Sequence, residues 1–202
     1  MAAPRRVHEL PVTDQSPAER GDAARNRTLL LDAARRLIAE RGADAVTTDD
    51  IAAAAGVGKG TLFRRFGSRA GLMMVLLDED EKQQQQEFMF GPPPLGPGAP
   101  PLERLIAYGH ARLRFVRRHH AVMSETNRDP QMRFSAPAML QHRHVRVLLE
   151  EAGTTGDLDA QAAALLALLD PDYVHHQLTD RGQTLESLGE AWETVARKLC
   201  GT

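Results

Sequence analysis

The sequence holds a single cysteine, Cys200, among 202 residues, so no disulfide can form within one chain and a reducing compartment, the cytoplasm, is the expected setting. No apolar run approaches the roughly 20 residues that a membrane-spanning helix needs. No apolar stretch follows Arg5 and Arg6 as a secretory signal would require. The chain is therefore expected to be soluble, without a membrane partner, and residues 1–22 to form a flexible polar arm. Strand signals are missing too, since nowhere do β-branched residues alternate with polar ones over strand length. Nor does a nucleophile with its base, an acid pair or a phosphate loop stand out; GVGKGT at 56–61 lacks both the spacing and the preceding strand of such a loop. The expectation is a protein that is not an enzyme and carries no cofactor, with Cys200 a spectator thiol.

Metal ligands are scarce in usable spacing. Eight histidines include the pairs His119-His120, His142-x-His144 and His175-His176. Residues one or two apart do not face each other on a helix, and chelation within one helix wants a spacing of three or four. With no cysteine cluster beside them, no metal site is expected, and the histidines are read as surface, core or pocket-lining residues.

Net charge is only -2, but it is unevenly spread: residues 1–75 carry 12 Lys and Arg against 9 Asp and Glu, and residues 76–202 carry 13 against 18. Attraction to a nucleic acid acts through nearby charges, screened beyond about 8 to 10 Å. A basic N-terminal part on an acidic body is compatible with a local phosphate contact surface.

What is present is helical periodicity. Leu30, Ala33, Ala34, Leu37 and Ile38 recur at a 3.6-residue period between Ala23 and Arg41, and Gly42 follows where a left-handed cap favours glycine. Thr47 opens a Thr-x-x-Asp capping pattern before Ile51, and Gly56 breaks the alanine run behind it. A short third helix fits Lys59 to Phe66, and Ser68 is a suitable N-cap for a fourth that reaches about Phe90. Residues 91–101, GPPPLGPGAPP, hold half of the twelve prolines and stop any helix. This segment is read as a stiff loop rather than a proline-rich partner motif. Further helices are expected from Leu102 past Val116, over Met139 to Glu151, from Leu158 to about Leu169, and over Leu185 to Leu199. The fold class is thus all-α.

Leu185, Leu188, Trp192, Val195 and Leu199 step by three and four residues, a narrow stripe that can face a helix of its own chain or a second copy. Together with Leu165 and Leu168 on the alanine- and leucine-rich helix before it, the stripe is more apolar than a small domain needs. A dimer interface built as a four-helix bundle is therefore the expectation.

The segment from Thr47 to Phe66 has the form helix, turn, helix. A reading helix must be short, anchored behind by large apolar groups, with polar or small residues outward. In GKGTLFRRF, Leu62 and Phe66 are the anchors, and Lys59, Gly60, Thr61, Arg64 and Arg65 take the remaining surface. At this point the sequence resembles the TetR family of bacterial repressors. The shared pattern is Thr47, Ile51, Ala52, Ala55, Gly56, Val57, Gly58, Gly60, Thr61, Leu62, Phe63, Phe66, Ser68, Arg69 and Leu72, and the resemblance covers roughly residues 24–80.

The resemblance implies an N-terminal three-helix DNA-binding domain over residues 23–68, joined to a larger helical ligand-binding and dimerisation domain over 69–202. It implies that Thr47 and Arg69 touch phosphate, that Lys59, Gly60, Thr61 and Arg64 read the groove, and that Thr48, Phe63 and Arg65 also belong to the DNA-binding surface. Phe63 takes the family's tyrosine position and Arg65 one often held by histidine. Gly58 stands for the usual serine cap, and Ala70-Gly71 for a more acidic pair. Should the resemblance extend past Pro101, an unknown small-molecule effector would sit among Tyr108, His110, Arg114, Met123, Phe134, Met139 and His142. The implied function is a homodimeric repressor released from a near-palindromic operator on double-stranded DNA. The competing reading is a ligand-binding or scaffold protein with a degenerate DNA-binding head.

Overall fold

The computed structural model describes residues 17–43, 45–127 and 135–201, with side chains from residue 21 onward except 125–127. Among them are nine helices and no strand: α1 (Pro17–Arg41), α2 (Thr48–Ala55), α3 (Lys59–Phe66), α4 (Arg69–Phe90), α5 (Pro101–Asn127), α6 (Ala136–Glu151), α7 (Leu158–Ala167), α8 (Pro171–Thr179) and α9 (Leu185–Leu199). None is long and apolar enough to cross a membrane. Of the expected arm, residues 1–16 lie outside the described residues. The remainder is already helix, because Pro17 occupies the first helical position, where its missing N–H costs nothing.

Two apolar cores form. The first, of the head, joins Leu30, Leu31, Leu37 and Ile38 of α1 to Ile51 of α2, Leu62 of α3 and Leu72, Met73 and Leu76 of α4. The second, of the body, gathers Phe88, Leu105, Tyr108, Val116, Val145, Leu148, Leu165, Val174, Leu188 and Trp192. Helix α4 therefore feeds both, its first two turns in the head and Phe88 in the body. The passage from head to body lies within α4 rather than at Ser68.

Helix α5 is the axis of the body and packs on α4, α6, α8 and α9. Its contact with α9 is interlocked through two glycines. A Cβ on Gly109 of α5 would stand 2.1 Å from the Trp192 Nε1, and one on Gly189 of α9 would stand 2.3 Å from the His110 ring. Each glycine is thus the recess for the other helix's ring. Trp192 Nε1 completes the fit by donating to the Leu105 carbonyl at 3.0 Å.

This arrangement corrects the stripe expectation. Leu165 and Trp192 are fully buried and Leu188 nearly so within one chain, and Leu168, Leu185, Val195 and Leu199 pack against the same core. Leu188 and Trp192 of the stripe thus face the core of their own chain, while Leu168, Leu185, Val195 and Leu199 stay partly exposed. Helix α8, not expected from the sequence, is started by Asp170, whose carboxylate accepts from the Asp172 and Tyr173 N–H groups, with Pro171 next.

Candidate nucleic-acid interface and effector region

Helix α2 begins on a reciprocal capping box. The Thr47 Oγ1 accepts from Asp50 N–H at 3.1 Å, and Asp50 Oδ2 accepts from Thr47 N–H at 3.0 Å and from its hydroxyl at 2.7 Å. These bonds, the hydroxyl's first, hold the Asp50 carboxyl below the usual carboxylate range. Gly56 ends α2 with φ 63, a left-handed turn that suits glycine, and only Val57 and Gly58 separate it from α3. Gly58 caps α3 with backbone alone, since no side chain bonds the first amides.

Leu62 is fully buried and Phe66 packs on the head core, so α3 is held from behind and cannot roll. Its other side is open. Lys59, Gly60, Arg64 and Arg65 are exposed, Thr61 is half-buried, and Phe63 is 40% exposed. Nothing lies within 4 Å of a Cβ placed on Gly60, so the backbone there can approach a surface closely. Arg64 Nη2 donates to Thr61 Oγ1 at 3.1 Å, which aligns two of the expected readers on one ridge.

Three of the expected phosphate or groove residues are already engaged. Lys59 Nζ lies 2.6 Å from Asp49 Oδ1 in the first turn of α2. The Thr47 hydroxyl spends its proton on Asp50, and Thr48 is half-buried. Arg69 donates from Nε to the Val46 carbonyl at 3.1 Å and from Nη2 to the Ala43 carbonyl, clamping the α1–α2 connection to the start of α4. A guanidinium has five donors, so the clamp leaves the charge and other N–H groups in place. Ser68 caps α4 by accepting from Gly71 N–H at 3.0 Å, as its position suggested. Gly71 itself sits where a Cβ would be 2.1 Å from the Phe66 carbonyl oxygen, which accounts for glycine in place of a larger residue. Asp49 is the residue that sequence reasoning missed; its signal was an acidic first turn ten residues before a lone lysine.

Behind this surface, α4 carries a charged segment that ties head to body. Arg35 of α1 donates from Nε to Asp80 Oδ1 at 2.8 Å and from Nη2 to Glu79 at 2.9 Å, and Arg27 pairs with Glu79. On its other oxygen Asp80 meets His119 Nε2 of α5 at 3.0 Å. Burial works to raise the Asp80 carboxyl, but the bonds and charges of His119 and Arg35 outweigh it, and the group is held below its ordinary value. One residue on, Glu81 accepts from Arg112 at 2.6 Å and from Gln141 of α6 at 2.8 Å, while Arg112 also donates to Gln84 at 2.7 Å.

The expected effector residues do not come together. Tyr108 is in the body core, edge-on to Phe88 with centroids 5.5 Å apart. His110 packs on Gly189, Met123 against the core, and Arg114 lines a cleft of about 290 Å³ along α4. Met139 and His142 line an open cleft of about 810 Å³ between α6 and α7, with Leu140, Arg143, Arg146 and Asp159. Phe134 lies outside the described residues.

Around Tyr108 the structure instead gathers buried polar atoms without a partner: the Tyr108 hydroxyl, His144 Nε2 and Arg104 Nε. The Tyr108 and His144 rings are 5.2 Å apart, and His144 also lies 4.3 Å from Phe88. Burial, with Arg104 adding to it, pushes the His144 imidazole down to about 4, and burial pushes the Tyr108 phenol up, so both stay uncharged at neutral pH. The sequence signal was the i, i+4, i+8 run Arg104, Tyr108, Arg112 along one face of α5.

Residues 30–74 match the family model of bacterial regulatory proteins of the tetR family. The helix-turn-helix region is thus similar to that of tetR-family regulators. The fold of the whole chain agrees with that of solved TetR-type regulators. A TetR-like transcriptional regulator from Rhodococcus superposes with a TM-score of 0.57 at 23% identity, over 88% of this chain and 97% of that one. A TetR-family transcriptional regulator from Streptomyces coelicolor gives 0.58 at 20%, over 88% and 97%. A structure named as a transcriptional regulator from Saccharomonospora viridis in complex with choline gives 0.65 at 21%, over 85% and 95%. No protein of curated function matches the chain. The tetR match runs from within α1 through α2 and α3 into the start of α4, the elements that hold α3 from behind.

Proposed function

We propose that this chain is a homodimeric transcriptional repressor that binds a near-palindromic operator through α3 and is released by a small-molecule effector. The observation that carries the reading is the outward ridge of α3, with Lys59, Gly60, Thr61, Arg64 and Arg65 displayed on an immobile Leu62 anchor inside a tetR-type head. Two such helices set about 34 to 36 Å apart by a two-fold axis would read successive major grooves. Substitution of Lys59 and Arg64 by alanine, followed by fluorescence anisotropy on the promoter of the protein's own or adjacent gene, tests this. Loss of sequence-specific binding is the expected outcome, and unchanged binding removes the assigned surface.

With Leu188 and Trp192 facing inward, this reading puts the second copy on the outer side of α7 and α9. Ala160, Ala163, Ala164 and Ala167 of α7 and Ala191 of α9 are exposed there. Glutamate at Ala164 is expected to yield monomers in sedimentation.

For the effector, the unpartnered Tyr108 hydroxyl, His144 Nε2 and Arg104 Nε support a ligand that offers hydrogen-bond acceptors to the α4–α5–α6 junction. The Arg104 charge disfavours a cation of the choline kind at that place. Bound ligand would shift α4 and, through Glu81, Asp80 and Arg35, the head. A decisive shift takes a differential affinity of up to about 5.5 kcal/mol, shared between subunits. A second reading, a ligand-binding body with a weakened head, is favoured by the engagement of Lys59 by Asp49 and of Thr47 by Asp50. Selection of bound sequences from random duplexes separates the two, since only the first enriches a two-fold site.

A further inference from the structure

The cleft of about 290 Å³ beside the joint has two unlike walls. From α4 come Asp80, Gln83, Gln84 and Glu87, recurring at three- and four-residue spacing on one helix face. From α5 come Arg114 and Arg118, one turn apart, with Phe115 between them. Arg35 of α1 lines it as well, so the cleft touches head and body alike. Neither Tyr108, His144 nor Arg104 lines it, and it is separate from the cluster assigned to the effector.

The polar groups of the two walls are only partly used. Asp80 already accepts from Arg35 on one oxygen and meets His119 on the other, and Arg118 stands 3.8 Å from it. Arg114 is exposed, and among the described residues no carboxylate pairs with it. On the facing wall Gln84 is only 8% exposed and gives its carbonyl oxygen to Arg112 at 2.7 Å. Its amide N–H groups have no partner among the described residues, so that partner has to come from the cleft. Glu87 accepts from Gln83 on one oxygen at 3.0 Å and keeps the other.

We propose that this cleft binds a small phosphate ester with hydroxyl groups on its carbon chain. Arg114 and Arg118 hold the phosphate, while Gln84 donates to a hydroxyl oxygen and Glu87 accepts from a hydroxyl. Three guanidiniums against two carboxylates line the cleft, and the excess positive charge calls for an anion. Two guanidinium forks one turn apart need more acceptors than a carboxylate offers, and the three free oxygens of a phosphate ester serve both. Glu87 repels that charge, so the phosphate lies toward α5 and the neutral hydroxyl part toward α4. A volume of about 290 Å³ falls just below the roughly 300–1,000 Å³ of drug-sized ligand sites, which suits a compact ester rather than a dinucleotide. A phosphate that takes Arg118 leaves Asp80 to Arg35 and His119 alone, which places the ligand directly beside the contact between head and body.

The test is calorimetric titration of the full chain, in buffer without phosphate, with glycerol phosphate, inorganic phosphate and glycerol in separate runs. Expected are one glycerol phosphate per chain, at least tenfold weaker binding of inorganic phosphate, and no binding of glycerol. Arg114→Gln should weaken glycerol phosphate at least tenfold and abolish the rise in Tm that the ligand gives the wild type. Its exposed, unpaired side chain makes loss of folding unexpected, and circular dichroism checks this. Arg117→Gln, on α5 but outside the cleft, should bind as the wild type does. In Glu87→Ala the advantage of glycerol phosphate over inorganic phosphate should disappear. Full affinity in Arg114→Gln, or an equal loss in Arg117→Gln, would overturn the site. So would a wild-type chain that binds neither phosphate compound, and equal affinity for the two would overturn the role of Gln84 and Glu87.

Discussion

The head and the joint beneath it are built from different physics. Buried side chains of the head are apolar throughout, from Leu30 to Leu76, and its Thr47 and Ser68 serve as caps while Lys59, Arg64 and Arg65 stand on the open face of α3. The joint along α4 buries Asp80, Glu81, Gln84, Arg112, His119 and Gln141 in two adjacent sets of hydrogen bonds, one pairing Asp80 with His119 and the other joining Glu81, Arg112, Gln84 and Gln141. Apolar packing tolerates small displacements, whereas a buried ionic set is either satisfied or costly. A reading surface on the first and a hinge on the second is a division of labour that suits a switch.

The sharpest break of this contrast is Arg112→Met. It leaves the Glu81 carboxylate buried without its cation, which costs about 3–5 kcal/mol when a buried pair loses one partner. Removing both charges in Arg112→Met/Glu81→Leu is expected to recover most of that loss in urea unfolding. If the double variant is no better than the single, the pair is not the unit that the geometry indicates.

Leu62→Ala probes the apolar side, with an expected cost of about 2–5 kcal/mol for a buried leucine. Trp192, the single tryptophan, reports on the body alone. Helicity should then begin to fall at lower urea than the Trp192 fluorescence transition. Coincident transitions would show that head and body melt as one unit and that the α4 joint transmits stability fully.

Much of the head was legible because its signals are local. The capping box at Thr47, the Ser68 cap and the break at Gly56 each involve residues within four positions. The α9 stripe was equally legible as a stripe, but periodicity cannot name what it faces; the recess at Gly109 that receives Trp192 is 83 positions away. Arg35 and Asp80, or Gln141 and Glu81, are joined only by the fold, so the joint could not be read at all. The expected effector residues failed for the same reason: Tyr108, Arg114 and Met139 are all on helices of the body but face three different ways.

Acid should loosen the body by a route the head lacks. His144 is held to about 4 in the folded chain against about 6.5 when unfolded, so between these values the unfolded state binds the extra proton. Stability therefore falls as pH drops from 6.5 to 4, by on the order of 2–3 kcal/mol. The Asp80 contribution has the depressed-carboxylate sign: it is present above the ordinary carboxylate range and lost as pH falls through its lower folded value. His144→Leu is expected to abolish the first decline and spare the second, seen as a Tm that stays level from pH 6.5 to 4. A decline of wild-type size in this variant would assign the acid sensitivity to another group.

The smallest effect distinguishes a strong head from a weak one. Asp49 holds Lys59 at 2.6 Å, both on the surface, where such a pair contributes roughly 0.2–1 kcal/mol to folding. Facing DNA, the same carboxylate opposes phosphate and occupies the one lysine of α3. Asp49→Asn should leave Tm nearly unchanged and tighten operator binding about 2- to 5-fold. The dependence of log K on log salt should steepen by about 0.9 for each Lys59 newly placed on a phosphate. Equal affinity and equal slope in the variant would mean that Lys59 does not reach the duplex, and would move the reading face toward Thr61, Arg64 and Arg65.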